Sequence, residues 1–401
     1  MLQRHGRALG LVFATVAATA LVGCAQPESS EDEDDSAAFD AVPDVPHTQA
    51  CSGGRLRCFA QIQAGGASAR VSGATPNGYG PAELSAAYHV DPTRATTATI
   101  AIVDAYNYAA AESDLARYRA QFGLPPCTTA NGCFKRVNQN GQASPLPSNA
   151  PAGDDWTVEA ALDLDMASAA CPKCKLVLVE ANDDQGDGLY LANDGAASLS
   201  PAVISNSWGG AEQGDEASLE THFNHPGVGI FASTGDAGYD DGGAGPSYPS
   251  TSAHVTAVGG TTLVQTANTR GWSEKGWSQG GSNCSLSIAR PSFQPAVTGC
   301  AKRMGADISA VGDPNTGLAV FNAGSGGWIV VGGTSASSPF VAGVMALYGH
   351  GAAGPAFAYA HTADFYDVKA GKNGSCGTVL CKAAVGWDGP TGVGTPNAHK
   401  L

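Results

Sequence analysis

The chain has 401 residues, of which 36 are Asp or Glu and 21 are Lys or Arg, giving a formal net charge of −15. A chain of this length can bury a large core and folds as one large domain or two ordinary ones. The acidic excess, uninterrupted by any long basic cluster, excludes nucleic acid as an expected partner.

The amino-terminal residues have the pattern of a targeting segment. A head containing two arginines precedes an apolar run over residues 8–22, which is too short for a comfortable transmembrane helix. The run ends in Leu-Val-Gly-Cys at 21–24, which resembles a bacterial lipobox. This predicts a signal peptide over 1–23 and an exported bacterial lipoprotein, anchored at the cell envelope or released outside the cell. In that case the lipid on Cys24 is the protein's only contact with the membrane. The alternative is ordinary signal-peptide cleavage nearby, in which Cys24 plays no part.

The rest of the chain divides into three parts. Residues 24–46 are acidic and contain two prolines, which predicts a solvated tether. Residues 47–80 carry one cysteine pair and much Gly, Ser and Ala, and we interpret them as a short lead-in segment. Residues 81–401 form the folded body, which we expect to be monomeric.

Ten cysteines follow Cys24 and stand as five close neighbours in the sequence. They are Cys51/Cys58, Cys127/Cys133, Cys171/Cys174, Cys284/Cys300 and Cys376/Cys381. In an oxidising compartment, an even number of cysteines in local pairs indicates disulfides that fix loops. Cys171-Pro-Lys-Cys174 also has the spacing of a redox or zinc site, but no second Cys or His pair stands at zinc spacing near it.

From residue 81 onward, the pattern alternates between strands and helices. The short apolar runs 99–103, 175–179, 202–205 and 229–233 are typical of buried strands, whereas residues 109–122 favour a helix. Apolar strands of this kind suit a parallel sheet that is covered on both faces. The sequence therefore predicts an α/β fold with a mostly parallel central sheet, helices on both faces, and a site at the carboxyl ends of the strands.

The first candidate for chemistry is Ser335, in Gly-Gly-Thr-Ser-Ala-Ser-Ser-Pro-Phe at 332–340. Glycine allows a tight turn, and Pro339 fits the first turn of the apolar helix that follows. Ser335 would then lie at a helix N-terminus, where free N–H groups favour developing negative charge. Ser335 is a candidate nucleophile; the alternative is a serine that caps the helix.

A serine nucleophile needs a base, and none of the nine histidines stands in a recognisable catalytic motif. Glu159 and Asp163 are four residues apart in a segment that favours a helix, so their carboxyl groups share one face. Such a pair destabilises an isolated helix by about 0.2–0.5 kcal/mol, and its neighbours are mostly apolar. The pair is therefore a candidate for acid–base chemistry, the alternative being a solvated helix face.

Asp236 lies at the tip of a glycine turn after the predicted strand at 229–233. A protonated carboxyl group there can donate a hydrogen bond to an oxyanion. The alternative is a turn aspartate that bonds to local backbone groups.

Together these segments resemble the sedolisin family of serine-carboxyl peptidases, which share the subtilisin fold. The resemblance runs from about Gly78 to Pro396. It rests on Gly-Thr-Ser-Ala-Ser-Ser-Pro at 333–339, Glu-Ala-Ala-Leu-Asp at 159–163, Ser-Asn-Ser-Trp-Gly-Gly at 205–210, Ser-Thr-Gly-Asp at 233–236 and Gly-Trp-Asp-Gly-Pro-Thr-Gly at 386–392. It implies that residues 81–401 are a sedolisin-like endopeptidase domain acting on protein or peptide substrates through a Ser acyl-enzyme.

By motif, the resemblance gives roles to four residues: Ser335 as nucleophile, Glu159 as general base, Asp163 as its carboxyl partner and Asp236 as the oxyanion-hole acid. It also places Trp208 and Asp104 near the acid pair, although a purely structural role for Asp104 is equally open. Glu159 must be ionised while Asp236 keeps its proton, and free carboxyl groups titrate near ~4. We therefore expect an acidic pH optimum.

The resemblance also implies one calcium ion. Asp367 and Asp388 would supply carboxylates, and Val368, Ala384 and Gly386 would supply backbone carbonyls. Ligation by oxygen alone is what this hard cation prefers. The alternative is a pair of surface loop acids.

Two other functions stay open. Gly-Trp-Ser-Gln-Gly at 276–280 fits the nucleophile elbow of an esterase with Ser278 as nucleophile, but polar residues precede it and a loop follows it. The second is a non-catalytic, surface-binding lipoprotein built on the same fold.

Overall fold

The computed structural model describes residues 31–51, 53–65, 76–185 and 187–401. The predicted signal peptide and Cys24 lie outside the described residues. Among the residues described, every helix is too short or too polar to cross a membrane.

The described chain contains eight α-helices and nineteen strands. The helices are α1 Glu31–Asp40, α2 Pro81–Tyr88, α3 Ala111–Gln121, α4 Trp156–Ala170, α5 Gly188–Ser198, α6 Glu216–Leu219, α7 Thr334–Tyr348 and α8 Ala356–Ala360. The strands are β1 His47–Gln49, β2 Arg57–Cys58, β3 Gln61–Gln63, β4 Thr99–Ala105, β5 Phe134–Asn138, β6 Lys175–Ala181, β7 Val203–Asn206, β8 Trp208–Ala211, β9 Gly229–Ser233, β10 Ser247–Tyr248, β11 Val255–Gln265, β12 Trp272–Gly276, β13 Asn283–Ala289, β14 Lys302–Gly305, β15 Ile308–Val311, β16 Leu318–Asn322, β17 Gly327–Gly332, β18 Phe365–Tyr366 and β19 Thr395–Pro396.

An eight-stranded central sheet organises the body. Its order is β12-β11-β9-β7-β4-β6-β5, with β15 also paired to β11. All neighbours run parallel except β12, which is antiparallel at one edge. Successive residues of β4, β7 and β9 are buried, which requires cover on both faces of the sheet. The predicted α/β fold with a mostly parallel, doubly covered sheet is confirmed.

Helices α4 and α7 carry the two main sequence candidates and pack directly against each other. Gly343 of α7 makes this approach possible, since a Cβ there would lie 2.7 Å from the Ala170 Cβ of α4. Asp155 caps α4 by accepting a hydrogen bond from the Thr157 amide at 3.2 Å. The packing of α4 against α7 thus fixes the position of Ser335 relative to Glu159, although the two residues are far apart in the sequence.

Residues 47–63 belong to the folded body, which differs from the lead-in segment predicted for 47–80. Strand β1 pairs antiparallel with β3, and β3 pairs antiparallel with β17. Strand β2 pairs antiparallel with β8. The sequence gives no strand pattern here because the strands are two or three residues long, and their partners β8 and β17 lie far later in the chain.

The tether predicted for residues 24–46 also contains regular structure. Residues Glu31–Asp40 form α1, and the Lys275 ammonium lies 4.8 Å from the centre of the Phe39 ring. The Phe39 ring, at the end of the acidic run, thus contacts β12 through a cation–π interaction.

The five local cysteine pairs form disulfides: Cys51–Cys58, Cys127–Cys133, Cys171–Cys174, Cys284–Cys300 and Cys376–Cys381. This confirms the predicted pairing by proximity. Because Cys171 and Cys174 bond to each other, their sulfurs are not zinc ligands here.

Gly343→Ala should destabilise the protein by about 1–3 kcal/mol, because the new methyl group overpacks the contact between α4 and α7. In an uncrowded helix the same change stabilises, since alanine is the better helix former. Urea unfolding measures the difference, and adding Ala170→Gly should recover part of the loss. A Gly343→Ala protein as stable as the parent would show that the helices are not in close contact.

Candidate active site

Ser335 lies at the first turn of α7 and is fully buried. The turn before it depends on Gly333, which has a φ of 103° and lies so close to the chain at Phe59 that a Cβ would be 1.8 Å from the Phe59 carbonyl oxygen. The Ser335 hydroxyl donates a hydrogen bond to the Ser207 carbonyl oxygen at 3.2 Å. The serine is therefore held by neighbouring backbone and covered by residues 59–60.

Glu159 and Asp163 project from α4 into the same buried space, as their spacing predicts. Glu159 Oε2 accepts hydrogen bonds from the amides of Phe59 at 3.1 Å and Ala60 at 2.8 Å. Asp163 Oδ1 accepts one from the Ser207 hydroxyl at 2.7 Å. Asp165 points elsewhere and accepts from the Phe321 amide at 3.1 Å.

Ser335 and Glu159 converge on one atom. The Phe59 amide nitrogen lies 3.1 Å from Ser335 Oγ and 3.1 Å from Glu159 Oε2. A side-chain hydrogen bond between Ser335 and Glu159 also lowers the pKa of Glu159, so the hydroxyl and the carboxyl group are within reach for proton transfer.

Burial changes the ionisation of the acid pair. Desolvation raises the pKa of Glu159 well above its usual value, and the nearby Asp104 carboxyl raises it further. Desolvation likewise raises the pKa of Asp163, followed by the charges of Asp104 and Glu159 and by a hydrogen bond with Glu159. Carboxyl groups in this arrangement hold protons in common, so the pair titrates as a unit.

Asp236 lies beside the serine turn, three residues after the end of β9. Its Oδ1 accepts hydrogen bonds from the amide and the hydroxyl of Thr334, each at 2.8 Å. Its Oδ2 is buried and lies 2.7 Å from the position of a Cβ on Gly333, on the same side as the Phe59 carbonyl oxygen. Burial raises the pKa of Asp236 to about 7, although Thr334 opposes the rise. A protonated Oδ2 is placed to donate to a carbonyl at this point.

Asp104 lies at the end of β4, and desolvation together with the charge of Glu180 raises its pKa to about 8. It acts on both members of the acid pair through its charge. The indole of Trp208 donates to the Val103 carbonyl oxygen at 2.9 Å, next to Asp104 in the chain. Both residues thus lie beside the site, where the resemblance placed them.

Sequence reasoning missed three groups. It overlooked the Ser207 hydroxyl, which contacts Asp163, although the segment 205–210 had been noted. It also overlooked Phe59 and Ala60, whose amides contact Glu159. The sequence feature that could have indicated Phe59 and Ala60 was the Cys51/Cys58 pair just before them. A disulfide fixes the position of the neighbouring residues even where the segment has no helix or strand pattern.

The residues proposed to bind calcium lie in two adjacent loops. The Gly386 amide donates to Asp367 at 3.1 Å, and the Ala384 amide donates to Asp388 at 2.9 Å. Asp388 is fully buried; burial raises its pKa to about 7, and the nearby Asp367 charge adds to the rise. A buried carboxyl group with a second carboxyl group beside it suits a hard cation.

Ser278 lies exposed in a turn after the antiparallel edge strand β12, and the next element is β13. A nucleophile elbow requires a buried strand before the serine and a helix after it. The structure does not provide that setting.

Asp104→Asn should flatten the pH dependence of stability. The folded chain keeps the Asp104 proton up to about pH 8, whereas an unfolded aspartate ionises near 3.9. Between those values the folded state binds the extra proton, so stability falls as pH rises, by about 1.4 kcal/mol per pH unit. Urea unfolding of Ser335→Ala proteins measures the slopes. Asp187→Asn, at an exposed position, is the control, and unchanged slopes for Asp104→Asn would contradict the shift.

Comparison with known proteins agrees with this geometry. A family model described as the subtilase family matches residues 147–355, which include Glu159, Asp163, Asp236 and Ser335. The chain is 28% identical to kumamolisin from Bacillus sp. (strain MN-32) over 371 residues, covering 83% of this chain and 64% of that protein. It is 28% identical to sedolisin from Pseudomonas sp. (strain 101) over 372 residues, covering 82% of this chain and 62% of that protein.

The fold is also similar to a solved structure. Pseudomonas sedolisin, a serine-carboxyl proteinase complexed with two molecules of pseudo-iodotyrostatin, superposes with a TM-score of 0.68 at 25% identity. The match covers 82% of this chain and 98% of that one. The chain spans just under two thirds of the length of the two curated relatives. By family model, sequence and fold, the chain belongs to the subtilase family and, within it, to the sedolisin family of serine-type peptidases.

Proposed function

We propose that this protein is a serine-carboxyl endopeptidase in which Ser335 is the nucleophile and Glu159 the general base. The observation that carries the proposal is the convergence of Ser335 Oγ and Glu159 Oε2, each 3.1 Å from one peptide amide. Asp163 supports Glu159 from one helical turn away, and Asp236 provides the hydrogen-bond donor for the oxyanion.

Each group has one step in the proposed reaction. Ser335 Oγ attacks the substrate carbonyl carbon while its proton passes to Glu159. Asp236, in its protonated form, donates a hydrogen bond to the carbonyl oxygen as charge develops there. Glu159 then returns the proton to the leaving nitrogen, and water hydrolyses the acyl-enzyme with Glu159 again as base.

We propose that activity is highest at acidic pH, because Glu159 must be ionised while Asp236 must be protonated. Glu159 must lose a proton to act as base, so activity rises as pH increases through the titration of the acid pair. Asp236 must keep its proton, and its pKa is raised to about 7. Activity therefore falls as pH approaches neutrality.

Digestion of an unfolded protein across pH tests the proposal. Ser335→Ala should reduce hydrolysis by about a thousandfold or more, because the nucleophile is removed. Glu159→Gln should reduce it by about a hundredfold or more, because glutamine cannot accept the proton. Wild-type activity should fall between pH 6 and 8, because Asp236, whose pKa is raised to about 7, loses its proton over this range.

Ser278→Ala is the matched control and should retain full activity, since Ser278 is exposed in a turn. Activity that survives Ser335→Ala but not Ser278→Ala would replace the proposal with the esterase alternative. A wild-type protein that digests nothing, and whose Ser335 is not labelled by an acyl-transfer inhibitor, would support the non-catalytic surface-binding alternative.

We also propose one calcium site formed by Asp367 and Asp388 with the backbone carbonyls of Val368, Ala384 and Gly386. The buried carboxyl group of Asp388, with the charge of Asp367 beside it, supports the proposal. A bound cation would neutralise both carboxyl groups and join the loop after β18 to the loop before β19.

Chelation should therefore lower the melting temperature of Ser335→Ala protein by about 5–10 °C. Asp388→Asn should lower it similarly and remove the response to added calcium. Asp364→Asn, which changes a neighbouring acid outside the proposed site, should leave that response intact. A melting temperature that ignores both chelator and calcium would disprove the site.

The lipid anchor on Cys24, export from a bacterial cell, and a monomeric state remain proposals. The lipobox-like sequence at 21–24 supports the first two. The five disulfides support export, because such bonds persist in oxidising compartments.

A further inference from the structure

A row of charged side chains connects the edge of the central sheet with the acid pair on α4. Asp104 of β4 and Glu180 of β6 are opposite each other in neighbouring parallel strands, so their side chains leave the same face of the sheet. Arg136 of the edge strand β5 is opposite Leu178, two residues before Glu180, and therefore shares that face. Helix α4 packs on β4 and β6. The row thus runs from a partly exposed arginine to the acids beside Ser335.

The two carboxyl groups of this row have different hydrogen-bond surroundings. Glu180 Oε1 accepts hydrogen bonds from Arg136 Nη2 at 2.7 Å and Nε at 3.2 Å, and from the Tyr108 amide at 2.7 Å. Both carboxyl oxygens of Asp104 are buried and have no hydrogen-bond partner among the residues that the structure describes. Because a buried carboxylate needs donors, Glu180 is suited to carry the negative charge and Asp104 to keep its proton.

The ionisable side chains that face Asp104 come from two elements, namely Glu180 from β6 and the acid pair from α4. Those that face Glu180 are Arg136 and Asp104. Burial raises the pKa of Asp104 to about 8, and the charge of Glu180 adds to the rise. After burial, the charge of Asp104 in turn raises the pKa of both Glu159 and Asp163. Glu180 therefore influences the acid pair through Asp104.

We propose that Glu180 is a positioning residue that keeps the proton on Asp104 while Glu159 acts as the base. The inference rests on the proposed function. A negative charge on Asp104 would oppose the ionisation of Glu159, which must lose its own proton before it can accept another. The charge on Glu180 opposes the ionisation of Asp104 and so leaves Glu159 free to ionise first. By keeping Glu180 charged, Arg136 helps to set the lower pH limit of peptide hydrolysis.

The pH dependence of kcat/KM for one synthetic peptide tests the inference. Glu180→Gln keeps the shape of the side chain but removes its charge, and the new amide can donate a hydrogen bond to Asp104. Asp104 should then ionise at lower pH and compete with Glu159, so the acidic limb of the profile should move upward by about 0.5 pH unit or more. The alkaline limb, which Asp236 sets, should stay in place. An unmoved acidic limb would overturn the inference and leave the proposed function standing.

Variants of Arg136 and of a second buried ion pair provide the controls. Arg136→Met should shift the acidic limb like Glu180→Gln, because Glu180 without its partner takes up a proton, whereas Arg136→Lys should restore the wild-type limb. Glu274 is 1% exposed and pairs with Arg270 at 2.8 Å outside the row. Glu274→Gln should therefore lower stability without moving the limb. An equal shift in Glu274→Gln would show a general loss of stability and would overturn the inference.

Infrared spectroscopy of Ser335→Ala protein gives a readout that does not depend on activity. The band of the protonated Asp104 carboxyl group is identified by its loss in Asp104→Asn, and Glu180→Gln should make it disappear at least about one pH unit lower. Equal titration with and without Glu180 would overturn the inference. A shifted band, in a protein whose wild type hydrolyses no peptide, would overturn the proposed function and the catalytic part of the inference, while supporting the effect of Glu180 on Asp104.

Discussion

The burial of Glu159 and Asp163 at the packed contact of α4 and α7 governs the chemistry of this site. A carboxyl group removed from water holds its proton more tightly, and neighbouring acids at Asp104 and Asp236 have the same tendency. Histidine-based sites obtain a base by choosing a side chain that titrates near neutrality. Here the base is a carboxyl group, and its surroundings set the pH range in which it accepts a proton.

The fold supports this arrangement with close backbone approaches. Gly343 allows the two helices to meet, and Gly333 allows residues 59–60 to lie against the serine turn. Neither position has room for a methyl group. The close backbone contacts at these glycines, together with large apolar side chains, therefore bury the cluster of acids.

Much of this architecture could be predicted from local pattern. The buried strands β4, β6, β7 and β9 were recognised because each is a short apolar run, and the i,i+4 spacing placed Glu159 and Asp163 on one face of a helix. The disulfides were recognised because their cysteines are close in the sequence. Each of these signals is contained within one short segment.

The role of residues 47–63 could not be predicted in this way. Strands of two or three residues have almost no periodicity, and pairing with β8 and β17 depends on chain segments that lie far away in the sequence. Their importance follows only from three-dimensional position. A composition rich in small residues was interpreted as a short lead-in segment, although the segment includes the residues that contact Glu159 and Ser335 directly.

The pairing of β1 with β3 has a consequence for access to Ser335. Because these strands flank residues 59–60 in the sequence yet lie beside each other in space, the segment that contacts Ser335 and Glu159 is held on both sides by main-chain hydrogen bonds. Another peptide can reach the serine only if several of these strand pairings open together.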